Sequence, residues 1–179
     1  MIRSDNMENN RASARFRAVI FTLTALMILF AWIHSCFPAD LSSMESKGVF
    51  QIIYNFLHMF GAGVELTEHI IRKLAHFTEF TAIGGLLLSC AYCFDRAQPY
   101  RFTVPVLFTG LIAALIDETI QLFVEGRAGM IADVWIDFGG VIFGSLVMSA
   151  FYTLYRKKTE KRRERLIRGS NGKGSSYGK

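Results

Sequence analysis

Four long apolar runs decide what this chain can fold into. They extend from Ala18 to about Phe37, from Ile70 to Phe94, from Phe102 to Val124 and from Met130 to Tyr155. A helix needs about 20 apolar residues to cross the hydrocarbon of a bilayer. Backbone in lipid must satisfy its own hydrogen bonds, which leaves helices or closed barrels. The expected fold is therefore all-α, an integral membrane four-helix bundle. A chain that is 51% hydrophobic, with 16 phenylalanines, suits that class better than a soluble domain. The first run exceeds the roughly 7 to 15 residues of a secretory signal core, and no small-x-small cleavage site follows it, so it reads as an uncleaved span. The second is cleanly apolar only from Phe80. Its helix must reach back through IIRKLAHFTEF and carry Arg72, Lys73, His76 and Glu79 into the membrane interface. Between spans one and two, VFQIIYNFLHMF (Val49 to Phe60) is too short to cross and predicts a short interfacial helix or lid.

Three segments follow from this pattern. Residues 1–17 are a basic N-terminal segment, 18–155 a four-span membrane domain, and 156–179 a basic tail expected to be disordered. The net charge of +5 is concentrated at the two ends. Lysine and arginine gather on the cytoplasmic side of short loops. The 38–69 connection holds only Lys47 and the EGRAG turn only Arg127, whereas the DRAQPYR loop holds two arginines. Both termini and that loop are accordingly expected in the cytoplasm. Basic residues confined to chain ends argue against nucleic acid as a partner and leave membrane lipids as the expected one. Cys36, Cys90 and Cys93 all lie in or beside apolar runs and imply no disulfide framework.

Charges inside this apolar frame mark the candidate site. A carboxylate in hydrocarbon costs at least a few kcal/mol, so its presence is a functional expectation. Asp117 and Gln121 are four residues apart, as are Asp133 and Asp137, and each pair shares a helix face. Lys73, His76 and Glu79 follow one another at three-residue spacing. The topology brings the start of span two, the end of span three and the start of span four to one face, the outer one. There Asp133, Asp137, Asp117, Glu118 and His76 are candidates for acid/base chemistry, and Lys73, Glu79, Gln121 and Arg127 for holding an anionic group. The opposing reading is structural: Lys73 or Arg127 pairs with Asp117 or Asp133 to fix helix register. His76 and Glu79, with Asp117 and Asp133 or Asp137, also form a set of N/O metal donors. Without HExxH, paired histidines or a nearby cysteine, zinc is poorly supported, and a Mg²⁺-like cation bridging carboxylates to a phosphate is the metal reading that stays open. No cofactor is defined. Gly84 and Gly85, and the pair Gly140 and Gly144, predict close helix approach.

Two pieces carry a family resemblance: RKLAHFTEF (Arg72 to Phe80) and DETIQLFVEGRAGMIADVWIDFGGVIFG (Asp117 to Gly144). The ensemble K-x-x-H-F-x-E-F, D-E-x-x-Q, a G-R turn and D-x-x-x-D-x-x-G resembles the VanZ-like family of small bacterial membrane proteins. Glu125 stands where that family's turn often has proline, while Gly126 and Arg127 keep its pattern. The resemblance spans 18–155 in architecture and is motif-specific over 72–144. That family takes its name from a protein associated with teicoplanin resistance. The resemblance implies a multi-pass protein of the bacterial cell membrane acting at the envelope, with a lipid-linked envelope precursor or a glycopeptide as possible partners. Whether it is an enzyme or a binding protein is left open by both lines.

Overall fold

The structure, a computed structural model, describes residues 12–38, 68–127 and 129–174. Its helices are α1 (Ala14–Ser35), α2 (Glu68–Phe94), α3 (Thr103–Gln121) and α4 (Ile131–Gly174), with a 3₁₀ turn over Pro99–Phe102 ahead of α3. All four are long and apolar enough to span a membrane, and among the described residues there is no strand. The interfacial helix expected over Val49 to Phe60 lies outside the described residues.

Local chemistry sets the ends of the helices. Ser13 caps α1, its Oγ accepting from Phe16 N at 3.3 Å, so the helix starts four residues before the apolar run does. Asp95 Oδ1 accepts from the backbone of Ala97 and Gln98 at 2.9 and 3.1 Å, folding the α2–α3 link into a tight turn. Pro105 sits in the first turn of α3, where a missing N–H costs no intrahelical bond. The turn after α3 uses Gly126 at φ 75°, a left-handed conformation that favours glycine.

One expectation is corrected. The basic tail, expected to be disordered from residue 156, continues α4 as helix to Gly174. Lysine, arginine and glutamate are good helix formers, and extending an existing helix carries no nucleation cost. Arg156 and Glu160, at 3.6 Å, add an i,i+4 pair on the exposed surface.

α2 and α4 form the tightest contact. A Cβ at Gly144 would strike the Thr81 carbonyl, and one at Gly84 would strike the backbone of Val141, so the glycines let the two backbones touch. Ser145 Oγ donates to Gly84 O at 3.1 Å across the same seam. Around it the core gathers Phe80, Ile83, Leu87, Ala114, Val134 and Val141. α1 lies against α2 and α3, fixed by Trp32 Nε1 donating to Ala113 O at 3.1 Å and by Thr24 Oγ1 against Cys90 Sγ at 3.3 Å. Large apolar side chains cover the outside, including Leu26, Phe30, Phe108 and Leu146. A bundle apolar on its outer faces as well as its inner ones is built for lipid.

The two ends of the bundle differ. At one, Tyr92 lies flat on Tyr152 at 3.9 Å and Arg156 Nη1 donates to Ala97 O at 2.7 Å, amid basic residues. At the other end, the close of α1 and α3 meets the start of α2 and α4. Nearly all buried charge is there.

Candidate functional site

The polar end is graded in depth. At its centre Asp117 (0% exposed), Asp137 (1%), Glu118 and Gln121 (6% each) and His76 (7%) are walled in by the four helices. Asp117 and Gln121, one turn apart on α3, share the inward face, as the spacing predicted. Asp117 Oδ2 accepts from Ser35 Oγ at 2.8 Å and from Gln121 Nε2 at 3.0 Å. His76 Nδ1 stands 3.7 Å from the same oxygen, beyond a hydrogen bond but within ion-pair range. Glu118 Oε2 accepts from the Met130 backbone N–H at 3.0 Å, so a carboxylate of α3 meets the N-terminal end of α4, where the helix dipole favours negative charge. Gln121 Nε2 also reaches Glu118 Oε1 at 3.3 Å.

Nearer the rim, Lys73 Nζ meets Asp133 Oδ1 at 2.6 Å, with 26% and 19% of the two side chains exposed. This is one of the basic–acidic pairs expected between spans two and four. Glu79 turns toward α1, its Oε1 3.2 Å from His34 Nδ1. Arg127 does not make the expected pair with Asp117 or Asp133. Its Nε donates to Phe37 O at 2.9 Å and its Nη2 to His34 O at 3.4 Å. The last carbonyls of a helix lack intrahelical donors and carry the negative end of its dipole, so the guanidinium closes α1. Burial, and then the charge of Arg72, draw the Arg127 guanidinium below its ordinary value.

The donor sets are thus narrower than expected. Asp133 is engaged with Lys73, and Glu79 with His34. His76, Asp117 and Asp137 each offer a ligand atom within 4.8 Å of the others, and each comes from a different helix. Both oxygens of Asp137, Oδ1 of Asp117 and Nδ1 of His76 are buried without a hydrogen-bond partner. A void with room for about one water, ≈ 10 Å³, opens beside His76 and Asp137, and Arg72, Lys73, Glu118 and Asp133 also line it. Buried carboxyls beside an imidazole have the chemistry to move protons or hold a cation.

α1 contributes His34 and Ser35, which the reading of the sequence did not place in the site. Their signal was present: two polar residues in the last turn of an apolar run, at the end where spans two to four carry their charges.

A bundle of four membrane helices with a buried acid–histidine centre at one end defines a class of integral membrane protein. The family model for VanZ/LLP1 matches residues 19–152, a stretch that includes all nine candidate site residues along with His34 and Ser35. The chain belongs to the VanZ/LLP1 family. No curated protein and no solved structure gives a significant match.

Proposed function

We propose that this VanZ-family membrane protein lowers the sensitivity of the bacterial envelope to glycopeptides of the teicoplanin kind. Its polar end faces the outer leaflet and receives the anionic group of an envelope lipid or lipid-linked precursor, which it binds or modifies. The observation that carries this reading is the depth gradient: a partly exposed lysine at the rim above fully buried Asp117 and Asp137. A rim cation attracts an anion, and carboxyls kept from water below it are suited to proton transfer. The family name supports the antibiotic, and the basic residues at the opposite end of the bundle support the orientation.

The test is teicoplanin susceptibility of cells expressing Asp117→Asn, Asp137→Asn or Lys73→Gln, normalised to protein in the membrane. Protection should fall in each. Lipid and precursor profiles of a null strain separate the two modes: an enzyme leaves a missing or accumulated species, whereas a binding protein leaves the profile unchanged. The closed Lys73–Asp133 pair favours a second reading, in which the charges serve helix packing. Undiminished protection by all three variants would select it.

A further inference from the structure

The buried carboxyls of the site outnumber the groups beside them that could balance charge: His76 Nδ1 lies 3.7 Å from Asp117 Oδ2, and no hydrogen bond reaches either oxygen of Asp137. Lys73 meets Asp133, and Arg127 donates to backbone carbonyls; neither forms an ion pair with Asp117 or Asp137. A buried carboxylate without partners is costly, and two chemistries relieve it: a proton, or a cation shared with its neighbours. The arrangement favours the cation. We propose that His76, Asp117 and Asp137 bind one divalent first-row transition ion, of the Mn²⁺ or Zn²⁺ kind, at the polar end of the bundle.

Three features support this. The donors converge from three helices within 4.8 Å. Neighbouring ligands of a tetrahedral ion with bonds of about 2.0 to 2.1 Å stand about 3.4 Å apart, so rotations that draw the three donors in by about 1 Å would complete the shell. The unpaired atoms are also the right ones. Ser35 and Gln121 both hold Asp117 by Oδ2 and leave Oδ1 without a partner, as outer-shell donors do when they orient a ligating carboxylate. Asp137, 1% exposed, has both oxygens unpartnered and lines the void. Finally, the donor set fits the ion. One imidazole with two carboxylates suits a first-row transition ion, which takes nitrogen and oxygen together, better than Mg²⁺ or Ca²⁺ with their oxygen shells, and offers no thiolate for a soft metal. Three protein ligands beside a void with room for about one water leave a position open, the pattern of a site that works on a bound molecule.

This inference concerns the site of the proposed function and does not depend on the antibiotic. Full-length protein in detergent micelles, stripped with a chelator, is dialysed against Mn²⁺, Zn²⁺ or Mg²⁺, and bound metal is counted by mass spectrometry. About one Mn²⁺ or Zn²⁺ per chain is expected, with a higher melting temperature than the stripped form. Asp137→Asn and His76→Gln should lose the ion, Ser35→Ala should weaken binding roughly tenfold, and Glu160→Gln should bind like the parent. The stripped parent tests the idea even if a variant misfolds: no uptake, or uptake of Mg²⁺ alone, overturns it. So does undiminished binding by monodisperse Asp137→Asn, or an infrared carbonyl band of a protonated acid that disappears in that variant. Loss of teicoplanin protection in Asp137→Asn, in a parent that binds no metal, would overturn the ion and leave the proposed function standing. Bound metal with protection unchanged in that variant would do the reverse.

Discussion

Ser35 Oγ donates to Asp117 Oδ2 at 2.8 Å, joining residues 82 apart in sequence and tying α1, the least buried span among the described residues, to the buried centre. Gln121 is the other donor to that oxygen at hydrogen-bond distance of 3.0 Å. Ser35→Ala removes one donor from a buried acceptor, which should cost about 1 to 2 kcal/mol. Unfolding in mixed detergent micelles, run as a double-mutant cycle with Asp117→Asn, should give a coupling of about 1 kcal/mol. A coupling of zero would mean that the two residues do not depend on each other.

Arg127 joins the α3–α4 turn to the end of α1 through two carbonyls, and the planar fork is what lets one side chain reach both. Arg127→Lys keeps the charge and loses that geometry. It should lower stability by about 1 kcal/mol, with faster amide exchange in the last turn of α1. If Arg127 instead served only as a point charge toward an anion, lysine would leave α1 exchange unchanged and alter only the susceptibility phenotype.

How far the sequence could be read depended on the kind of signal. Span number, and the meeting of Asp117, Gln121, Asp133 and Asp137 at one end, followed from apolar length and i,i+4 spacing, which are local properties. The partners did not. Asp133 meets Lys73 while Arg127 meets backbone carbonyls, because the choice depends on how the α3–α4 turn is seated against α1. Carbonyl groups carry no trace in a list of side chains. His34 and Ser35 were passed over for a related reason: two polar residues at the end of an apolar run read as an ordinary helix terminus until α1 is known to lean on α3 through Trp32. The helical tail shows another limit, since its composition suits both a solvated coil and the continuation of a helix already formed.

Gly144 separates packing from chemistry. Its missing Cβ is what allows α4 to lie on the Thr81 carbonyl of α2. Gly144→Leu must push the helices apart, and overpacking of this sort costs about 1 to 3 kcal/mol or more. Recovered protein and its melting temperature should both fall. Any protein that does fold should show a loss of protection no larger than its loss of abundance, since the glycine makes no contribution of charge. A specific loss of protection at normal abundance would indicate that the α2–α4 seam takes part in the activity.

The orientation of the bundle can be tested with a reporter already present. Cys36 is exposed just past α1 at the polar end, whereas Cys90 and Cys93 are buried. In a Cys90→Ser, Cys93→Ser background Cys36 is the sole thiol, and replacing it with serine while introducing Lys161→Cys moves the reporter to exposed helix at the basic end. By the positive-inside rule the basic end is expected in the cytoplasm, because lysines and arginines resist translocation. With four spans, the end of α1 then emerges on the far side together with His76, Asp117 and Asp137. A membrane-impermeant maleimide added to intact cells should label Cys36 and spare the Lys161→Cys reporter until the cells are opened. Serine variants of buried cysteines can loosen the bundle, so each protein is first checked for the parent's melting temperature. Labelling of the Lys161→Cys reporter in intact cells, with Cys36 protected, would turn the polar end toward the cytoplasm. An outer-leaflet precursor could not then reach Lys73, and the proposed function would have to be replaced by one that acts on an intracellular anion.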